Sequence, residues 1–360
     1  NHNDDYKEVE IGSSAIDALG LRDVVFEYEI TSNRVDCFGI LGIAREAAAT
    51  FDREFVPPVV KETGNQEKAS DYIKVEIEDS DLCSRYVARV VKNIKIAPSP
   101  QWMQRRLAAC GIRPINNIVD ITNYVCHELG QPLHAFDAAK VSGNQIIVKT
   151  VTAGTPFVTL DCQERKLSDA DLMICNSQDP MCIAGVFGGA DSGVSDSTTA
   201  IFLESAYFSP VWVRRTAQRF ALKTDSSFRF ERGTNPDITV DALKKAAILI
   251  AEVAGGEVAS SVVDLYPNPI KPFEFPVSYQ NIQRVIGKDI PAETIREIIL
   301  SLGIEIENET EEGFDVKVPA YKVDVIREID VVEEVLRIYG YNNIELKTQI
   351  KASLNTSEKP

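Results

Sequence analysis

The stretch 121–137, ITNYVCHELGQPLHAFD, changes character halfway. Ile118, Ile121, Val125 and Leu129 recur at helical spacing, and Gly130 follows where a left-handed cap is needed. Gln131-Pro132 then sends the chain out extended, because proline disfavours αR for the residue before it. This pattern predicts a helix end carrying Thr122 and Asn123, followed at once by a loop carrying His134. Small hydrogen-bonding groups beside one imidazole on irregular backbone describe a pocket wall. A structural, hydrogen-bonded histidine fits the same residues.

The 360 residues around this stretch suffice for two or three domains, each with its own core. Hydrophobic content of 44% and charged content of 26% are ordinary for a soluble globular chain, and no apolar run approaches a bilayer span. The start, NHNDDYKEVE, has neither a signal peptide nor an initiator methionine, which points to a piece of a longer protein. Seven cysteines (Cys37, Cys83, Cys110, Cys126, Cys162, Cys175, Cys182) never form C-x-x-C. Most sit in apolar runs as small hydrophobes, which favours a reducing cytoplasm over disulfides or structural zinc. A net charge of −16 argues against non-specific nucleic-acid binding, although local basic patches remain compatible with it.

Upstream, Asp36 is a candidate N-cap for a helix with an apolar stripe from Phe38 to Phe51. Val56-Pro57-Pro58 and the polar segment 61–70 read as a linker. Beyond it, 85–96 is a β-branched strand, and Ser99-Pro100 opens a helix that Gly111 closes. Downstream, 145–151, a hairpin within 157–167, 172–175, 181–187 and 201–203 read as strands. Ser209-Pro210 opens a helix to about Phe220, and a longer helix over 237–253 stops at Gly255-Gly256. A second linker, YPNPIKP at 266–272, precedes three helices (278–286, 291–302 and 330–339) and a two-stranded wing. The fold class is therefore α+β: a partial helical segment (1–60), a central mixed α/β domain (61–268), a small winged-helix-like domain (269–346) and a tail (347–360).

Several residues invite a chemical reading, each beside a plainer one. Gly185-Val-Phe-Gly188-Gly189 has the wrong spacing for a dinucleotide fingerprint and lacks a P-loop lysine; its glycines suit a tight turn or close approach of a ligand. Glu204, leaving the end of the strand at 201–203, needs a buried partner, for which Arg214 and Arg215 are the candidates. The run 224–233, TDSSFRFERG, reads either as a polar turn entering an edge strand or as small donors lining a cavity, with Arg229 or Arg232 near a phosphate. Asp161, Asp169 and Asp171 read as solvated. Asp324, Asp330, Glu333 and Glu334 offer oxygen ligands suited to Mg2+, and the last three share a helical face. An ordinary solvated face, with Glu333 pairing Arg337, accounts for them as well.

Taken in order, six blocks resemble the β subunit of bacterial phenylalanyl-tRNA synthetases: TSNRVDCFGILGIARE (31–46), NNIVDITNYVCHELGQPLHAFD (116–137), AGVFGGADSGVSDST (184–198), FLESAYFSP (202–210), TDSSFRFERG (224–233) and VPAYKVDVIREIDVVEEVLRIYGYNNI (318–344). The resemblance covers nearly the whole chain. It implies an internal fragment: the end of a B1 domain, a B3/B4 editing domain and a B5 domain. It further implies hydrolysis of tyrosine wrongly esterified to tRNA(Phe), by a pocket to which Thr122, Asn123, His134 and Glu204 contribute catalytic groups. Gly185, Thr224 and Ser226 would bind the substrate. Two residues depart from the family pattern: Ser226 stands where Ala is common, narrowing the pocket slightly, and Phe228 where His is common. The resemblance also makes Asp324, Asp330, Glu333 and Glu334 ligands of Mg2+ in a site shared with the α subunit. ATP would serve only the full α2β2 enzyme, in the cytoplasm. The rival is a non-catalytic module that holds tRNA or α subunit around a degenerate pocket.

Such a second site has a physical purpose. A pocket shaped for phenylalanine cannot strongly reject an isostere that merely adds a hydroxyl, so proofreading must read that hydroxyl instead.

Overall fold

The computed structural model describes residues 11–18, 22–61, 67–259 and 261–345; the tail at 347–360 and part of the linker at 61–70 lie outside the described residues. Two compact units emerge. Of the described residues, those up to 46, 55–271 and 320–323 form the larger, and 47–54, 272–319 and 324–345 the smaller.

Up to residue 265 the helices are α1 (Ala15–Ala18), α2 (Ile40–Thr50), α3 (Gln101–Ala109), α4 (Asn117–Leu129), α5 (Pro210–Phe220), α6 (Asp225–Phe230) and α7 (Thr239–Ala254). The strands are β1 (Lys74–Ile77), β2 (Cys83–Lys92), β3 (Leu133–Asp137), β4 (Gln145–Thr150), β5 (Pro156–Val158), β6 (Glu164–Lys166), β7 (Leu172–Cys175), β8 (Pro180–Ile183), β9 (Phe187–Gly188), β10 (Ala200–Phe208), β11 (Glu257–Val258) and β12 (Val263–Leu265). One sheet runs β11-β2-β10-β3, with β12 also on β2; another runs β1-β4-β7-β8-β9, in which β1 and β4 are parallel.

Alternation along the first sheet sorts two cores. Tyr86, Ala88, Val90, Phe136, Phe202 and Ala206 point one way and pack with Ile146, Met173, Ile174 and Ile183 of the second sheet. Val87, Val91, Ile201 and Leu203 point the other way, against Met103 and Leu107 of α3, Ile118, Ile121 and Val125 of α4, and Leu243 and Ala246 of α7. Each fully buried Ile, Leu or Val stabilises this layering by roughly 1.5–3 kcal/mol. The layers are thus helices, sheet, sheet.

Helix α4 begins where Asn116 accepts from the backbone N–H groups of Ile118 (3.1 Å) and Val119 (3.0 Å), and it ends at Gly130 with φ 76°. Thr122 and Asn123 therefore sit mid-helix rather than at its end. His134 lies on a regular strand, β3, instead of a loop, because three residues suffice to turn the chain from α4 into the sheet.

Other expectations need correction. Asp36 does not cap α2; it lies in a short 3-10 turn (Val35–Cys37) with its carboxylate held by Arg34 at 2.8 Å. The Ser99 hydroxyl donates to Asp120 at 2.6 Å instead of capping α3. Residues 225–230 form helix α6 rather than an edge strand, since Thr224 accepts from Ser227 N–H and caps it. Asp171 is fully buried, accepting from Thr216 at 2.9 Å and paired with Arg219.

In the smaller unit β13 (Phe273–Ser278), α8 (Tyr279–Ile286), α9 (Ala292–Ser301), β14 (Glu305–Glu307), β15 (Gly313–Val318) and α10 (Glu328–Tyr339) enclose Ile282, Ile295, Ile299, Val316, Val331 and Val335. The wing has three strands, ordered β13-β15-β14, because 273–278 leaves the proline-rich segment already extended.

Candidate functional site

Glu204 falls in the middle of β10, not at a strand tip. Its register partners are Ala88 on β2 and His134 on β3, so Glu204 and His134 stand directly opposite with side chains on the same face. That face is the one packed towards the second sheet, and apart from these residues it is mostly apolar.

Neither Arg214 nor Arg215 is the partner of this acid. The Tyr86 hydroxyl donates to Glu204 Oε2 at 2.6 Å, with Tyr86 0% and Glu204 5% exposed. Burial pushes the Glu204 carboxyl up to about 8, and the Tyr86 hydrogen bond offsets only part of that. At neutral pH the acid keeps its proton. Burial, then the nearby Glu204, also raises the thiols of Cys83 and Cys182 and the phenol of Tyr86. Burial pulls His134 the other way, down to about 4, so its imidazole is neutral. The ring packs edge-on against Phe136 (centroids 4.4 Å apart), and its Nε2, shielded from solvent, meets no hydrogen-bond partner among the described residues. An unpaired buried polar atom is costly, which marks the place where a ligand has most to offer.

A cavity of about 270 Å³ opens beside these groups and brings together Asn123, His134, Gly185, Glu204, Thr224 and Ser226, with Leu160, Gly188 and Phe230 among the other residues of its wall. Thr122 stays outside: its hydroxyl donates to the Val119 carbonyl at 2.7 Å. Thr224 and Ser226 spend their hydroxyl protons on the carbonyls of Val186 (2.8 Å) and Gly185 (3.2 Å), which fastens α6 to the glycine turn. Gly185 has φ 68°, and a Cβ there would press on Phe208 and Phe230 at 3.0 Å. A larger opening of about 410 Å³, among Lys140, Asn176, Asp179 and Ser192, contains none of the residues expected from sequence.

Sequence reasoning missed Tyr86 and Leu160, and named Gly188 only within a glycine block suited to a tight turn or to close approach of a ligand. The alternation Tyr86, Ala88, Val90 announced one face of a strand, but nothing local announced which strand would face it. Gly188 lets the imidazole approach: a Cβ there would sit 3.2 Å from His134 Cε1 and 3.0 Å from Leu160. Of the two departures from the family pattern, Ser226 lines the cavity, whereas Phe228 lies outside its wall, 4.9 Å from Phe38 and with Arg232 over its ring at 4.0 Å.

The four candidate Mg2+ ligands do not converge in this chain. Asp330 accepts from the N–H groups of Ile326 (3.1 Å) and Arg327 (3.0 Å) and pairs with the Arg327 guanidinium. Glu334 pairs with Arg337 at 3.1 Å, the role expected of Glu333. Burial, with Asp330 nearby, raises the Asp324 carboxyl. Among the described residues, only Asp36, Cys37 and Glu46 bring three potential ligand atoms together, and Arg34 already binds both carboxylates. By themselves these residues do not fit a cation.

Residues 82–255 match the B3/4 domain and residues 275–341 the tRNA synthetase B5 domain. A B3/4 domain followed by a B5 domain places the chain among the aminoacyl-tRNA synthetases. Relatives named phenylalanine–tRNA ligase β subunit are 50% identical over 93% of this chain in Bacteroides fragilis, 52% over 92% in Porphyromonas gingivalis and 46% over 94% in Geobacter metallireducens. The chain belongs to this family of phenylalanine–tRNA ligase β subunits. It spans 41–42% of the length of those three relatives. A solved N-terminal fragment of the phenylalanyl-tRNA synthetase β subunit from Pyrococcus horikoshii is 16% identical, with a TM-score of 0.44, over 89% of this chain and 90% of that one. No helix among the described residues is long and apolar enough to cross a membrane.

Proposed function

We propose that the cavity hydrolyses tyrosine esterified to tRNA(Phe), as the proofreading part of a phenylalanine–tRNA ligase. One observation carries this reading: among the described residues, a buried acid without a cationic partner and an imidazole with an unpaired Nε2 meet at a void of about 270 Å³. A phenol entering there hydrogen-bonds to groups that are otherwise short of partners. Phenylalanine leaves them unpaired, at a cost of roughly 1–3 kcal/mol. Both groups are neutral at pH 7, so an empty pocket strands no buried ion.

The ester is already activated, so the site has mainly to place water and support the developing oxyanion. Water oxygen adds to the carbonyl carbon, the bond between that carbon and the ribose oxygen breaks, and a proton of the water ends on the ribose oxygen; free tyrosine and tRNA leave. Asn123 is the side-chain donor best placed to orient that water or the carbonyl. Thr122, tied to its own helix, acts through packing. Synthesis of the ester, with ATP, Mg2+ and the α subunit, belongs to the whole ligase. The carboxylates on and before α10 would serve a cation only with ligands from that partner.

Deacylation of Tyr-tRNA(Phe) and Phe-tRNA(Phe) by this chain tests the reading. We expect Tyr-tRNA(Phe) to be released faster, and Glu204→Ala and His134→Ala each to slow that release about 100-fold. Release at the uncatalysed rate, alongside measurable tRNA binding, overturns it in favour of a non-catalytic module.

A further inference from the structure

Tyr86 does not line the cavity, yet among the described residues it is the one side chain hydrogen-bonded to the acid that does. It sits on β2, two residues from Ala88, the register partner of Glu204, so its ring crosses diagonally on the shared face. The ring is fully buried in the core between the sheets, and β2 pairs along nearly its whole length with β10. The hydroxyl therefore has little room to swing away. With Oε2 occupied, Oε1 is the oxygen left for a ligand.

We propose that Tyr86 is a positioning residue that fixes which oxygen of Glu204 faces the cavity and thereby sets the discrimination between hydroxylated and unhydroxylated aromatic ligands. This rests on the hydrolytic reading above only for the identity of the ligand. A freely rotating carboxyl would satisfy itself in several ways and read a hydroxyl poorly; one locked by a buried donor holds its other oxygen in one place and orientation. The titratable groups that face Glu204 are Tyr86 and Cys83 from β2, Cys182 from β8 and His134 from β3. The two thiols are raised by burial and stay protonated, and the imidazole stays neutral, so Tyr86 is the neighbour that tunes the acid near neutrality.

Tyr86→Phe removes one oxygen and keeps the ring. Its effect is read in two ways on the full chain. Infrared difference titration, with Glu204→Gln to assign the carboxyl band, gives the protonation midpoint of Glu204. Losing a donor to the carboxylate should move that midpoint upward by about one pH unit. The ratio of Tyr-tRNA(Phe) to Phe-tRNA(Phe) release should fall about tenfold. If the wild type releases neither ester, the hydrolytic reading has failed, and the affinity ratio of free L-tyrosine to L-phenylalanine replaces the release ratio. Should Tyr86→Phe not fold, 3-fluorotyrosine at position 86 is the second variant: a stronger donor of nearly the same shape, it should move the midpoint down. An unchanged midpoint with an unchanged ratio overturns the proposal, and so does a changed ratio with an unmoved midpoint, which would mark a packing effect.

Discussion

Two groups of acids in this chain look alike on paper and differ in physics. On α10, Asp330 and Glu334 keep company with Arg327 and Arg337, and their oxygens are engaged by guanidinium or backbone N–H groups. On β10, Glu204 has, among the described residues, no cationic partner and a single phenolic donor. The first arrangement is settled electrostatics, in which even the buried Glu334 has a guanidinium beside it. The second holds a carboxyl out of water with its proton still on. Helical spacing drew notice to the first and an apolar strand to the second; only the company each acid keeps separates a satisfied group from a poised one.

The sharpest way to break this contrast is pH. Glu204 titrates near 8 in the fold against an ordinary 4.5, so between those values the folded chain keeps a proton that the unfolded chain has lost. Unfolding free energy should therefore fall as pH rises across that window, by up to the order of 5 kcal/mol. The contribution is complete below 4.5 and gone above 8. His134 acts oppositely at lower pH: its neutral form is favoured, and stability is lost as pH falls from 6.5 towards 4. Urea denaturation at several pH values, with Glu204→Gln, checks the larger effect. That variant should lose most of the decline, and an unaltered slope would mean Glu204 ionises normally.

Smaller effects sharpen the contrast. Gly185→Ala should cost about 2 kcal/mol in urea denaturation, since it forces a side chain into left-handed backbone against Phe208 and Phe230. Asp330→Ala should cost only about 1 kcal/mol, the loss of a helix cap, and leave deacylation of Tyr-tRNA(Phe) by this chain unaltered. A large loss of deacylation in that variant would mean the two acid groups are functionally linked.

The parts of this architecture visible beforehand are those decided locally. The apolar ladder of α4 and Gly130 sit within one stretch of chain, and the stop of that helix reads correctly; its start at Asn116 does not, so Thr122 and Asn123, expected at its end, stand in its middle. The strand β10 reads too short because Glu204-Ser205 interrupts an apolar run, and a buried acid mid-strand mimics a strand end. Phe228-Arg229-Phe230 alternates like a strand, but the Thr224 cap makes it helical. Asp171 looks solvated until α5 delivers Arg219 and Thr216 to it. Tyr86 as the partner of Glu204 depends on pairing between segments 118 residues apart, a fact that no local pattern holds.

The link from α4 to β3, only Gly130, Gln131 and Pro132, acts as a ruler. Adding one residue to it while the ladder held would advance the strand by a single step and bring Leu133 opposite Glu204. The imidazole would then rotate into the layer of helices. A change that most surface connections absorb would here exchange the chemistry of a cavity wall for plain hydrocarbon.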